Sequence, residues 1–297
     1  MRLSPVQGAT RVVFTLDLVF SAVAGGVLYG LSTRTEDYFA WTIAAPLTAA
    51  VLGSGYLAAV VLLVPSYAER AWARVRIIPV LGFTLTFVTL LVTLWRLEEF
   101  HLGAGSGTAR VAGWAWLAVY VAVPVLLAAV FVRQERAGGR GEYGIERPLL
   151  PETKVLLGGV AGLAGVLGLG LLLTPGSMDG IWPWPLPPLA AGAVAAWLLT
   201  IAAACAWGLR DGDWGRFRIA LPGLAAYGVL VAVAVARYPE PLDGGDGQER
   251  AFLVVGLLVA AAWVAVVLRQ ERSVEHVEDA QRAPERGDEV DAGRLLP

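Results

Sequence analysis

Asp17 stands near the middle of a run of apolar residues, where a carboxylate has few physical roles. At the centre of a membrane helix an acidic side chain costs roughly 2.5–3.5 kcal/mol on insertion scales. It is therefore expected to face protein, and to pair with a cation or form a proton or cation site. Six residues separate it from Arg11, roughly 9 Å along a helix axis. Near that depth the arginines at 74 and 76 are its expected partners.

Gly53-Ser54-Gly55 sets a hydroxyl between two glycines, the shape an intramembrane nucleophile could take. A serine nucleophile needs a base within hydrogen-bond reach. The two histidines, His101 and His276, both lie outside the apolar segments, so these glycines are read as points of close helix approach. Gly158, Gly162 and Gly165, and more weakly Gly26 and Gly30, are read as packing stripes on the same ground. Cys205 is the only cysteine and lies in an apolar run, which excludes a disulfide framework or a thiolate metal cluster.

Two charged strings close apolar segments: Arg96-Leu97-Glu98-Glu99-Phe100-His101 and Arg237-Tyr238-Pro239-Glu240. Arginine at such a position meets the negative end of a helix dipole. The alternative is a pair of related outer-side binding sites, Arg96 with Glu98 and Arg237 with Glu240, beside Trp41, Trp182 and Trp184. A guanidinium next to aromatic faces could hold an anionic headgroup or sugar phosphate. Glu98, Glu99 and His101 are too few and too local to define a metal centre. No phosphate-binding loop, dinucleotide fingerprint, zinc-protease helix or lipidation signal occurs, so no catalytic residue, metal or cofactor is expected.

The elements that must position these residues are membrane helices. The chain is 57% hydrophobic and 16% charged, with mean hydropathy +0.63, far from the roughly 25% charged residues of soluble domains. Eight runs reach spanning length of about 20 residues: 12–31, 43–64, 77–94, 111–132, 154–173, 186–209, 217–235 and 251–268. The connections between them are short, leaving no room for an inserted soluble domain. Tryptophans near the segment ends are expected to form aromatic belts. Trp197 and Trp263 lie deeper, as packing residues.

Of 23 basic residues, 18 fall in the N-terminal arm, alternate loops and the C-terminal tail, against 5 in the remaining loops. Cytoplasmic loops retain arginine and lysine, so both termini are expected inside. Lys154 is the only lysine, which with abundant Ala, Gly and Val suggests a high-GC bacterial genome and hence a bacterial cytoplasmic membrane. Ala22-Val23-Ala24 has the form of a signal-peptidase site. Asp17 interrupts the apolar region such a signal needs, and retention of the first helix is expected.

Two strings recur. Trp72-Ala73-Arg74-Val75-Arg76-Ile77 returns as Trp214-Gly215-Arg216-Phe217-Arg218-Ile219, and Arg133-Gln134-Glu135-Arg136 as Arg269-Gln270-Glu271-Arg272. Pro46-Leu47 and Pro188-Leu189 share the 142-residue offset of the first pair. The expected fold is an all-α polytopic bundle, a tandem parallel duplication of a four-helix unit, with repeats at 1–142 and 143–272 and a disordered cytoplasmic tail at 273–297. The lipid bilayer is the expected partner, with a membrane protein or a lipid-like ligand as further candidates. Nothing in the charge balance invites nucleic acid. Three classes fit: a non-catalytic structural or accessory membrane component, a permease or flippase-like carrier, and an interfacial lipid-modifying enzyme.

Overall fold

The computed structural model describes residues 4–103, 105–137, 144–178, 181–239, 256 and 260–274. Across them the chain is an all-α bundle. Pairing of extended backbone is confined to three isolated bridges, Pro5 to Ala71, Trp41 to Phe100 and Pro148 to Asp213. Among the described residues, seven helices are long and apolar enough to cross a membrane. The protein is thus a multi-pass membrane protein in contact with the lipid bilayer.

The long helices are α1 (Gly8–Gly30), α2 (Pro46–Ser66), α3 (Ile77–Trp95), α4 (Gly107–Ala137), α5 (Pro151–Leu173), α6 (Pro188–Asp211) and α7 (Leu221–Arg237). Proline opens α2, α5 and α6, where its missing N–H costs nothing and its fixed φ suits the first turn. One-turn helices, Trp72–Val75 and Trp214–Phe217, lead into α3 and α7. The second is capped by Asp213, whose side chain accepts from the Arg216 amide. Gly212 ends α6 at φ 68°, a left-handed geometry that glycine adopts without a Cβ clash.

The predicted spans fall within these helices to a few residues at each end, the helices running further because polar interfacial turns remain helical. Much of the eighth predicted span, and the tail from residue 275, lie outside the described residues. Residues 260–274 are helical.

Packing follows a reciprocal plan. α1 packs on α2 and α4, α3 on α4, and α5 on α6. Between these groups α2 packs on α7 while α3 packs on α6, and the two one-turn helices meet each other. Counted along the chain, the second span meets the seventh and the third meets the sixth. Gly53 makes one close approach possible: a Cβ there would lie 2.7 Å from the Tyr29 backbone nitrogen.

Two glycine expectations need correction. Gly26, Gly30, Gly158 and Gly162 have open space where a Cβ would stand, and Gly165 has only Ala202 at 3.9 Å. Their neighbours in register do the packing instead, Gly25 against Leu57 and Gly168 against Leu199. Spacing alone gives a stripe's period without its direction.

Candidate functional site

Small residues on facing helices leave open space between them. A cavity of about 100 Å³ is bounded by α1, α2, α3, α6 and α7, so its wall combines both packing groups. Ala58 and Ala59 are small wall residues, Gly55 and Gly82 let Trp197 and Leu127 approach closely, and Leu81, Leu85, Ile201 and Leu224 give an apolar lining. Asp17 and Ser21, one turn apart on α1, bring the carboxylate and a hydroxyl to the wall. Thr86, Thr200, Trp197 and Tyr227 complete its polar and aromatic parts.

Asp17 is half-buried and lines this space, facing protein rather than lipid as expected. The expected arginine partners are engaged elsewhere. Arg74 pairs with Glu69 at 3.4 Å, and Arg76 pairs with Asp211, which also receives Arg216 at 2.6 Å. Distance along a helix axis fixes depth but not direction around it, and these arginines reach loop and helix-end carboxylates. Among the described residues, Asp17 accepts a hydrogen bond from the Ser21 hydroxyl and has no ion-pair partner. Gly82 crosses close by, since a Cβ there would lie 3.6 Å from Asp17 Oδ2.

The Arg76, Asp211 and Arg216 cluster lies beside Trp207, Gly208 and Phe217, a helical turn beyond the cavity residue Ala204. The Arg76 guanidinium sits 5.3 Å from the Trp207 ring centre. This cluster covers that end of the cavity with ion pairs joining the α2–α3 loop to the end of α6.

Beyond it stand two clamps. Gln134 Oε1 accepts from the Gln7 amide at 3.0 Å and the Thr10 hydroxyl at 3.1 Å, while its Nε2 donates to the Pro5 carbonyl at 2.7 Å. Gln270 Oε1 accepts from the Leu150 amide and the Thr153 hydroxyl, both at 2.9 Å, while its Nε2 donates to the Pro148 carbonyl at 3.1 Å. Trp72 Nε1 donates to Glu135 at 2.6 Å, and Trp214 Nε1 to Glu271 at 3.0 Å. The recurrent strings thus bind one another: each tryptophan string meets the Arg-Gln-Glu-Arg string that follows it. Both glutamines are 1% exposed, so every one of these groups depends on its partner.

The remaining sequence candidates are structural in their contacts. Trp41 packs against Phe39, Phe100 and Trp116, and Trp182 against Trp184. Trp184 Nε1 donates to Thr48 at 3.0 Å. Trp41, Trp182 and Trp184 are all buried, as are Trp72, Trp116 and Trp214, whereas Trp95 and Trp114 are exposed. Most of the expected aromatic belt is therefore core, because interhelical space at both ends of the bundle is filled by these rings. Arg96 is half-buried and Glu98 exposed. Arg237 donates to the Tyr29 carbonyl at 3.1 Å and lies 5.0 Å from the Tyr238 ring centre. Glu240 lies outside the described residues.

Ser54 is fully buried and donates to the Ala50 carbonyl at 2.8 Å, which occupies its proton within its own helix. His101 uses both ring nitrogens, one on the Phe39 carbonyl and one on Thr42. No group of metal-ligating side chains occurs among the described residues. Sequence reasoning found Asp17 but missed the cavity, because small residues such as Gly55 and Gly82 mark close packing against Trp197 and Leu127 as readily as open space. No family model, curated protein or solved structure matches this chain.

Proposed function

We propose that the protein is a carrier of the permease type, holding a small and largely apolar molecule in the cavity between two related halves. The observation that carries this reading is the cavity itself: space bounded by helices of both packing groups, with one carboxylate on an otherwise apolar wall. Ligand sites are commonly apolar concavities with few polar groups, and parallel repeats place them between halves.

The same reading takes residues 1–142 and 143–272 as tandem copies of a four-helix unit, eight spans in all, followed by the 273–297 tail. The matching clamps and the reciprocal packing of α2 on α7 and α3 on α6 support it. The distribution of basic residues supports cytoplasmic termini in a bacterial cytoplasmic membrane. A second reading, a non-catalytic structural or accessory component, is favoured by the clamps, which spend buried polar groups on holding helices together.

Xenon, an apolar atom that enters dry cavities, tests the carrier reading. In protein with labelled leucine, isoleucine and valine methyls, NMR signals of Leu81, Leu224 and Ile201 should shift on xenon addition, well beyond exposed Val155. Ala59→Leu, which fills the space, should abolish the response. Cavity methyls that move no more than Val155 would remove the reading.

A further inference from the structure

We infer that the cavity takes the protonated form of a small alkylamine, with its ammonium on Asp17 and its carbon body against the Leu81, Leu85 and Trp197 wall. This rests on the carrier reading and names its ligand class. The hydrogen-bonding character of the wall is its foundation. Thr86 donates its hydroxyl proton to the Gly82 carbonyl at 2.7 Å, and Thr200 donates to the Ala196 carbonyl at 2.7 Å. Both hydroxyl oxygens therefore have only lone pairs left for anything else. The Asp17 carboxylate, when ionised, is also acceptor-only. Ser21 donates its own proton to Asp17, and although Trp197 and Tyr227 also carry donors, the carboxylate side of the wall is rich in acceptors and its negative charge selects a positive occupant.

Charge and composition point the same way. Among the described residues, none that bounds the cavity is cationic, and the arginines at 74 and 76 are held by Glu69 and by Asp211. A carboxylate without a counter-charge in an apolar wall is costly, and a bound ammonium would supply that charge. Trp197 and Tyr227 belong to the same wall, and aromatic faces attract ammonium groups. An inorganic cation fits poorly, because hard cations of the Ca²⁺ and Mg²⁺ type take about six or more oxygen ligands. This wall offers one carboxylate and scattered hydroxyls among leucines and alanines. Size restricts the ligand further. A cavity of 100 Å³ is smaller than the roughly 150 Å³ that admits benzene, which favours a body of about five heavy atoms.

Isobutylammonium and its neutral isostere isobutanol provide the test, read by the cavity methyl signals of the full-length protein. The wild type should bind the ammonium more tightly than the alcohol. Asp17→Asn should weaken ammonium binding by about 10- to 100-fold, the range for a hydrogen bond to a charged group, and leave isobutanol binding unchanged. The preference within the wild type needs no variant and stands even where Asp17→Asn folds poorly. Equal affinity for the two ligands, an ammonium affinity untouched by Asp17→Asn, or displacement of the ammonium by millimolar sodium or potassium would overturn the assignment. A xenon response together with any of these leaves an apolar cavity of different selectivity. Absence of the xenon response removes the carrier reading as well.

Discussion

Two regions of this bundle treat recurrent positions, 142 or 143 residues apart and 136 apart for Gln134 and Gln270, in opposite ways. At the clamps the positions agree. Pro5 and Pro148 offer carbonyls, Thr10 and Thr153 hydroxyls, and Gln134 and Gln270 close both sets with the same three hydrogen bonds. At the cavity they diverge. Under the proposed duplication, Asp17 is matched by Val160, Ser21 by Ala164, Gly55 by Trp197 and Gly82 by Leu224. Where the positions agree, polar atoms are buried and satisfied, which is what holding a structure requires. Where they differ, a charge borders open space, an arrangement that costs stability and is found where ligands bind.

The clamps give the largest test of this contrast. Gln134→Leu would leave the Gln7 amide, the Thr10 hydroxyl and the Pro5 carbonyl without their partner, for an expected loss of about 3 kcal/mol. Gln270→Leu should cost the same within experimental error, both measured by reversible unfolding in bicelles. A large loss at one glutamine and none at the other would break the equivalence.

A smaller effect is expected where the two groups differ by one methyl. Gly53→Ala drives a Cβ into the α1 backbone at Tyr29, an overpacking worth about 2 kcal/mol. Ala195, its counterpart under the proposed duplication, already accommodates a methyl while fully buried. Ala195→Gly should cost only about 1 kcal/mol, the helix propensity difference. Equal losses would mean that the two contacts are alike in tightness.

The smallest effect should have the opposite sign. Asp17→Val places the residue found at 160 in the cavity wall and removes a carboxylate that has a hydrogen bond from Ser21 but no ion-pair partner, for an expected gain of about 1 kcal/mol in the same unfolding assay. Ammonium binding should disappear with it. A destabilised variant would show instead that the carboxylate holds the helices together, and would move Asp17 from the binding side of the contrast to the structural side.

Much of the scaffold was legible in the sequence for a simple reason. A bilayer demands long apolar helices, and seven of the expected spans coincide with helices that meet the demand. The recurrent strings were legible too, but their mutual contact was not: Trp72 and Glu135 are 63 residues apart, and nothing local announces that an indole N–H will meet a carboxylate. Asp17 stood out by charge against an apolar background. Its surroundings did not, because depth can be counted along a helix while the direction of a side chain depends on packing among five helices. The same gap misdirected the glycine stripe on α5, and it placed Trp41, Trp182 and Trp184 at an interface when they fill the core.

The clamps also bear on the order of events during synthesis. All the groups that Gln134 joins lie between Pro5 and Gln134 itself, so the first four helices can be fastened before residue 151 has left the ribosome. Synthesis at roughly 5–20 residues per second leaves several seconds in which that fastened portion waits in the membrane alone. During that interval the inward faces of α2 and α3 lack α7 and α6, and the carboxylate of Asp17 lacks two of the five helices that surround it. The cavity is therefore finished last, and a chain stalled before α6 would present lipid with an open acidic flank, a feature by which quality control could tell an incomplete copy from a complete one.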